Sequence, residues 1–234
     1  LSNAGATVVS KLDDIPKNKP ILLRAHGTVK DVWEEAESKD MQIIDATCPL
    51  VHEIHNEVRK LYKENRQIIV IGDHGHDEVV AIANQVPKTI VIATPEEAKK
   101  MKKFKKAGVV SQSTQMIENV QEIISILMIK VFDLNFVNTI CYPTKRNHEQ
   151  IKDLATQSDL MIIIGSFTSA NSKRLTELSK QRNKNTHQVT CADDLNIQWF
   201  NDVESIGISA GASTPDYLIE GVANRIKKID KERN

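Results

Sequence analysis

The chain has 234 residues, and its 31 basic and 31 acidic side chains leave no formal net charge at pH 7. This balance argues against a surface built for nucleic acid, although it is compatible with a local anion site. No apolar run approaches the roughly 18 residues that cross a bilayer, and three cysteines are too few for a disulfide framework. The composition therefore favours a protein of a reducing, cytoplasmic setting that contacts neither membrane nor nucleic acid.

Short apolar runs rich in Ile and Val alternate with amphipathic stretches, which predicts βαβ units and parallel sheets buried on both faces. The predicted strands cover residues 6–10, 21–24, 42–45, 67–71, 89–93, 107–111, 159–164, 187–190 and 205–209. The predicted helices cover residues 28–38, 49–65, 77–85, 95–103, 114–129, 145–157, 170–183 and 214–229. The polar motifs described below follow strands, where open parallel sheets bind their ligands.

One pattern occurs twice along the chain. A cysteine loop is followed by a strand that ends in a polar loop and then by another such strand. Cys48 and Cys141 are 93 residues apart, and Gly72 and Gly165, which end the next strands, have the same separation. A repeat of this length is a folded unit and not one turn of a solenoid.

Residues 21–28 resemble the last element of each copy, yet they precede the first cysteine loop. We therefore expect an α/β fold of three pseudo-symmetric lobes with small, mainly parallel sheets, the first lobe being incomplete. The expected lobes are residues 1–47, 48–138 and 139–234. The same symmetry predicts a segment upstream of Leu1 that carries a third cysteine loop.

Cys48 and Cys141 precede prolines that suit the first turn of a helix, where the helix dipole favours a thiolate. Their equivalent positions indicate a shared role as metal ligands. Three thiolates holding a [4Fe-4S] cluster with one open iron is one interpretation, and a zinc site is the other. Cys191 lies elsewhere in its unit and is interpreted as structural.

Titratable and polar side chains gather at the predicted strand ends. His26, His74 and His76 favour anion binding or proton transfer, while His52 and His55 are assigned to the surface of a helix. Glu78 is either a proton donor or a carboxylate that stabilises the first turn of its helix.

Hydroxyl and amide groups occur at three predicted helix starts, where they suit either simple N-caps or a diphosphate cradle. These motifs are Ser111-Gln112-Ser113-Thr114, Ser169-Ala170-Asn171-Ser172 and Ser213-Thr214. Neither a GxGxxG nor a GxxxxGK[ST] motif is present in the sequence, so a standard dinucleotide site or P-loop is not supported.

Over essentially its whole length the chain resembles the 4-hydroxy-3-methylbut-2-enyl diphosphate reductase family, also called LytB or IspH. The resemblance is carried by Ala25-His26-Gly27, Asp45-Ala46-Thr47-Cys48-Pro49-Leu50-Val51, Gly75-His76 with Glu78, Gln112-Ser113-Thr114, Cys141, Ser169 with Asn171-Ser172-Lys173-Arg174-Leu175, and Ala210-Gly211-Ala212-Ser213 with Pro215-Asp216. The cysteine string and the last two strings, in this order, are highly specific.

The resemblance implies three α/β lobes around a central [4Fe-4S] cluster, and it implies a role for each matching residue. The cluster ligands would be Cys48 and Cys141, with a third cysteine from the N-terminal segment. The diphosphate would be bound by His26, His76, Ser169, Asn171 and Ser213. Glu78 would belong to a proton relay, and Ser113 would lie near the substrate hydroxyl.

The implied reaction is the reductive dehydroxylation of (E)-4-hydroxy-3-methylbut-2-enyl diphosphate to isopentenyl and dimethylallyl diphosphate, with ferredoxin or flavodoxin as electron donor. The chain departs from the family pattern where the N-terminal cysteine loop is absent and where Asn147-His148 replaces the usual Arg-Gln. Without the first loop we expect the chain as given to be inactive. The alternative is a metal- or diphosphate-binding homologue without redox activity, and a Rossmann-like oxidoreductase is disfavoured.

Overall fold

The computed structural model describes residues 5–16 and 18–233, and within them nine strands and eight α-helices alternate. The strands are β1 (Ile21–Leu23), β2 (Ile43–Asp45), β3 (Gln67–Ile71), β4 (Ile90–Ile92), β5 (Phe104–Ser111), β6 (Val131–Phe136), β7 (Leu160–Ile164), β8 (Thr186–Val189) and β9 (Ile206–Ala210). The helices are α1 (Lys30–Ser38), α2 (Pro49–Lys63), α3 (Asp77–Ala83), α4 (Pro95–Lys100), α5 (Ile117–Lys130), α6 (Tyr142–Gln157), α7 (Ala170–Arg182) and α8 (Asp216–Arg233).

The chain divides into two compact units, residues 1–139 and 140–234. The first unit contains a two-stranded sheet, β1-β2, and a four-stranded sheet in the order β4-β3-β5-β6. The second unit contains a three-stranded sheet in the order β8-β7-β9. All the pairings are parallel, which confirms the predicted α/β class with small parallel sheets.

In two of these sheets the order in which the chain adds strands reverses at a central strand. The chain crosses from β3 to β4 on one side and then returns to β5 on the other, and it repeats this path from β7 to β8 and then to β9. Loops that leave the carboxyl ends of such strands diverge and open a crevice between them. The strand order therefore predicts one crevice beyond β3 and β5, and a second one beyond β7 and β9.

The central strands form the core because helices cover both faces of their sheets. Residues 68–71 of β3 are at most 1% exposed, and the whole of β7 is 0% exposed. Helix α2 packs on the first of these sheets through Val51, Ile54, Val58 and Leu61, which recur at helical spacing on one face. Gly108 allows this approach, since a Cβ there would lie 2.9 Å from the Cβ of Leu61.

All eight predicted helices are confirmed, with ends displaced by a few residues. The predicted strand at residues 6–10 is wrong: Val8 is 88% exposed, and the β-branched run has no neighbouring strand to pair with among the described residues. Strand β6 was missed because α5 ends at Lys130 and β6 begins at Val131, with no turn residue to separate them. None of the described helices is both long and apolar enough to cross a bilayer.

Candidate active site

Glu78 and Ser113 meet in the crevice beyond β3 and β5. Glu78 lies in the first turn of α3 and is only 2% exposed, and Ser113, in the loop after β5, is 7% exposed. The backbone N–H of Ser113 donates to Glu78 Oε1 at 2.6 Å, and the Ser113 hydroxyl donates to Oε2 at 2.8 Å. One residue thus holds both oxygens of a buried carboxyl group next to a hydroxyl that can exchange a proton with it.

The walls of this crevice are fixed by hydrogen bonds between its two loops. Gln112 accepts a bond from the backbone N–H of Asp73 at 3.0 Å, and Gln115 donates to the Asp73 carboxylate at 3.3 Å. A Cβ at Gly72 would lie 2.5 Å from Val79, so only glycine permits this path of the chain. These contacts fix the positions of Glu78 and Ser113 relative to each other.

The three histidines of the sequence motifs separate into two groups. The His26 and His76 rings meet edge to face, with centroids 5.5 Å apart. His76 caps α3 because its Nδ1 accepts a bond from the backbone N–H of Glu78 at 3.2 Å, which leaves Nε2 to carry the proton of the neutral ring. His74 instead lies 2.8 Å from Glu97 of α4, so it orders the loop and does not join the histidine pair.

His55 is buried and not at the helix surface as predicted, because it follows Val51 by four residues on the inner face of α2. It packs under the loop that carries His26: a Cβ at Gly27 would lie 3.0 Å from its ring. Its Nε2 has no hydrogen-bond partner in the described part of the chain. Burial lowers the pKa of His55 to about 4, and the charges of Arg59 and His52 act in the same direction while Asp45 opposes them.

The crevice beyond β7 and β9 contains a buried amide. Ser169 caps α7 by accepting a bond from the backbone N–H of Ser172 at 3.3 Å. Asn171, 8% exposed, has no hydrogen-bond partner for either side-chain atom among the described residues. Buried polar groups are rarely left unpaired in native proteins, so this amide indicates a place where a ligand or water completes the hydrogen bonding.

Two glycines shape this second crevice. A Cβ at Gly165 would lie 2.2 Å from the Ser172 hydroxyl oxygen, and one at Gly211 would lie 2.4 Å from the same atom. The backbone after β7 and the backbone after β9 therefore both pass close to the start of α7. Ser213 follows Gly211 and is exposed, which leaves its hydroxyl accessible beside this crevice.

Cys48 and Cys141 both occupy the N-cap position of a long helix, α2 and α6 respectively, with a proline in the first turn. Both thiols are half-buried. The backbone N–H of Cys48 donates to the carbonyl of Ala25 at 3.0 Å, so the cysteine loop is joined to the end of β1. Cys141 Sγ lies 2.9 Å from the hydroxyl of Thr144, which is buried in the same turn.

These surroundings fit metal-ligand cysteines, because each thiol is partly accessible at a helix start, where backbone N–H groups can donate to an anionic group. Within residues 5–16 and 18–233, no three His, Cys, Asp or Glu side chains cluster as a metal site. The two cysteines belong to different units, so their meeting at one centre stays a prediction.

The fold is that of an α/β protein with two topological switch points, the positions at which open parallel sheets bind their ligands. A family model described as LytB protein matches residues 1–227. The chain therefore belongs to the LytB protein family.

Similar proteins carry one activity in their names. The chain is 40% identical over 215 residues to the 4-hydroxy-3-methylbut-2-enyl diphosphate reductase of Geotalea daltonii, which covers 92% of this chain and 76% of that protein. It is 36% identical over 224 residues to the enzyme of the same name from Aquifex aeolicus, which covers 94% of this chain and 78% of that protein.

Solved structures of reductases are also similar to this chain. The E-1-hydroxy-2-methyl-but-2-enyl-4-diphosphate reductase from Plasmodium falciparum has a TM-score of 0.88 at 31% identity, over 95% of this chain and 72% of that one. A structure of (E)-4-hydroxy-3-methyl-but-2-enyl diphosphate reductase, described as the terminal enzyme of the non-mevalonate pathway, has a TM-score of 0.65 at 36% identity, over 94% and 79%.

The unpaired amide of Asn171 generates a prediction about stability. Asn171→Leu keeps the volume but removes two buried polar groups without partners, so we expect it to raise the free energy of unfolding of the ligand-free chain by about 1–3 kcal/mol. The matched control is Asn183→Leu, which removes an amide that donates to Ser158 and accepts from Asn185 and should destabilise the chain. Urea denaturation measures both, and equal destabilisation would mean that the Asn171 amide is satisfied.

His55 predicts a pH dependence of stability. Its folded pKa of about 4 lies below the ordinary value of about 6.5, so the unfolded chain takes up the proton first. The contribution of neutral His55 to the free energy of unfolding is therefore complete above about pH 6.5. On the order of 2–3 kcal/mol is lost as the pH falls towards 4. His55→Gln should remove this part of the slope in urea denaturation between those pH values. A slope unchanged by the substitution would show that the pKa of His55 does not differ between the folded and the unfolded chain.

Proposed function

We propose that this chain supplies the proton relay, the diphosphate-binding residues and two of the cluster ligands of an enzyme that catalyses the reductive dehydroxylation of (E)-4-hydroxy-3-methylbut-2-enyl diphosphate. Two electrons and two protons are consumed, the C–O bond breaks, water leaves, and isopentenyl or dimethylallyl diphosphate is formed. Family membership supports the reaction class. The observation that carries the proposal is the buried Glu78 carboxyl group, held on both oxygens by Ser113 in a crevice where such sheets bind ligands.

In this proposal the diphosphate is bound by neutral and histidine donors. His26 and His76 lie together in the first unit, and Ser169, Asn171 and Ser213 border the crevice of the second unit. Asn171 supports this role because its amide has no hydrogen-bond partner among the described residues and a phosphate oxygen would accept from it. Helix N-termini at both crevices add backbone N–H donors and a favourable dipole.

Glu78 and Ser113 would supply the proton that the leaving hydroxyl requires. A hydroxide ion is a poor leaving group, whereas protonation of its oxygen lets it leave as water. When Glu78 is protonated, its Oε2 can donate to the Ser113 hydroxyl 2.8 Å away, and that hydroxyl can then pass its own proton to the substrate oxygen as it takes the proton of Glu78. The burial of Glu78 excludes bulk water from this exchange.

Cys48 and Cys141 would be ligands of an iron–sulfur cluster, together with a third cysteine outside this chain. When bound, a [4Fe-4S] cluster supplies single electrons, which ferredoxin or flavodoxin would deliver. The half-buried thiols at helix N-termini support the assignment. Such thiolates persist in a reducing compartment, so we place the protein in the cytoplasm.

Cysteine substitutions test the cluster assignment. After anaerobic reconstitution with iron and sulfide, we expect Cys48→Ser and Cys141→Ser to lose most of the bound iron and acid-labile sulfide. Cys191→Ser is the matched control, because Cys191 caps a short 3-10 turn in a different part of its unit, and it should retain the wild-type content. Binding of zinc without sulfide would favour the homologue without redox activity, and equal loss in all three variants would contradict the assignment.

Glu78→Gln tests the proton relay, since glutamine keeps the shape of the side chain but has no proton to donate. We expect kcat to fall about 100- to 10,000-fold while cluster content is unchanged. Turnover is followed by oxidation of reduced methyl viologen in the 234-residue chain extended at its N-terminus by a first cysteine loop, because the chain as given is expected to be inactive. Glu97→Gln is the control, because Glu97 bonds His74 and the backbone of Ala93. Wild-type turnover in Glu78→Gln would mean that Glu78 only stabilises the first turn of its helix.

A further inference from the structure

An exposed ion pair joins the two segments that carry His26 and His76. Arg24 precedes His26 by two residues, and Asp77 directly follows His76 as the first residue of α3. The Arg24 guanidinium donates to the Asp77 carboxylate at 2.6 Å. This contact therefore lies at the same end of the interface as the two histidine rings, whose centroids are 5.5 Å apart.

Two other contacts hold the same segments together further from the histidines. The backbone N–H of Lys30 donates to the side chain of Asn84, the C-cap of α3, at 2.8 Å. Gly27, at φ 87°, packs on Ala81, since a Cβ there would lie 3.2 Å from that side chain. The loop is thus seated on α3 along its length, with a charged contact beside the rings.

The exposure of the ion pair limits its contribution to stability. The Arg24 side chain is 69% exposed and the Asp77 side chain 47% exposed, so water and salt screen their attraction and the pair adds little to overall stability. A short contact that adds little stability can still select one arrangement of the two segments that it joins. The ion pair also engages the Arg24 guanidinium with a carboxylate, so His26 and His76 rather than Arg24 would contact an anion.

We propose that the Arg24–Asp77 ion pair positions His26 against His76 and so preorganises these two rings for an anionic group. The identification of that anion as a diphosphate rests on the proposed function. Arg24 acts here as a positioning residue and not as a ligand of the anion. Asp77 has the same role, although its charge repels anions.

The geometry is tested without any ligand. In chain labelled at histidine, the nuclear Overhauser effect between the two rings should be strong in the wild type and should weaken at least twofold in Arg24→Gln, in Asp77→Asn and in the double variant alike. Arg24→Lys restores a cation and should recover it. The control variants are Lys30→Gln and Glu34→Gln, which remove a similarly exposed ion pair on α1 and should leave the effect unchanged. An unchanged effect in Arg24→Gln and Asp77→Asn would overturn the proposal.

Binding of inorganic pyrophosphate, measured by calorimetry, separates positioning from direct contact. If the pair positions the rings, Arg24→Gln and Asp77→Asn should each lower the affinity about two- to fivefold, and the double variant should lose no more than either single one. If Arg24 itself binds the anion, Asp77→Asn frees the guanidinium and affinity rises, which would overturn the proposal. Absence of pyrophosphate binding in the wild type would count against the proposed function, and the ring measurement would still decide the role of the pair.

Discussion

The reversal of strand order beside a buried central strand is the constraint on which both candidate crevices depend. Strands β3 and β7 admit no polar side chain within the core, so polar groups are confined to the strand ends. Because the next strands lie on opposite sides of the central one, the loops part at its carboxyl end. Glu78 and Ser113 meet in one such opening, and Asn171 borders the other.

The two crevices place their proposed anion-binding groups in the same structural position. In each, the residue that caps the helix after the central strand is such a group: His76 caps α3 and Ser169 caps α7. A side chain that accepts a bond from its own helix has a fixed orientation, and the neighbouring backbone N–H groups face the same ligand. The equivalent positions of Gly72 and Gly165 extend this correspondence to the backbone.

Two buried polar side chains lower the stability of the ligand-free chain. The amide of Asn171 and the Nε2 of His55 are buried without hydrogen-bond partners in the described part of the chain, and such groups destabilise a ligand-free fold. Hydrophobic residues of similar size would pack without this penalty. Departures of this kind from good local packing are expected at functional sites.

The sequence by itself determined the α/β class, the helices and the strand ends at which the site residues lie, because period, capping residues and glycines are local signals. Residues 6–10 carried the strand signal without a partner strand, and β6 lacked a boundary signal, so neither could be predicted from local pattern. The tertiary structure alone decided that Ser113 holds both oxygens of Glu78, that His55 is buried beneath Gly27, and that Arg24 pairs with Asp77. These contacts join residues 28 to 53 positions apart, and which distant side chains meet is determined by strand order and helix packing, which no local pattern encodes.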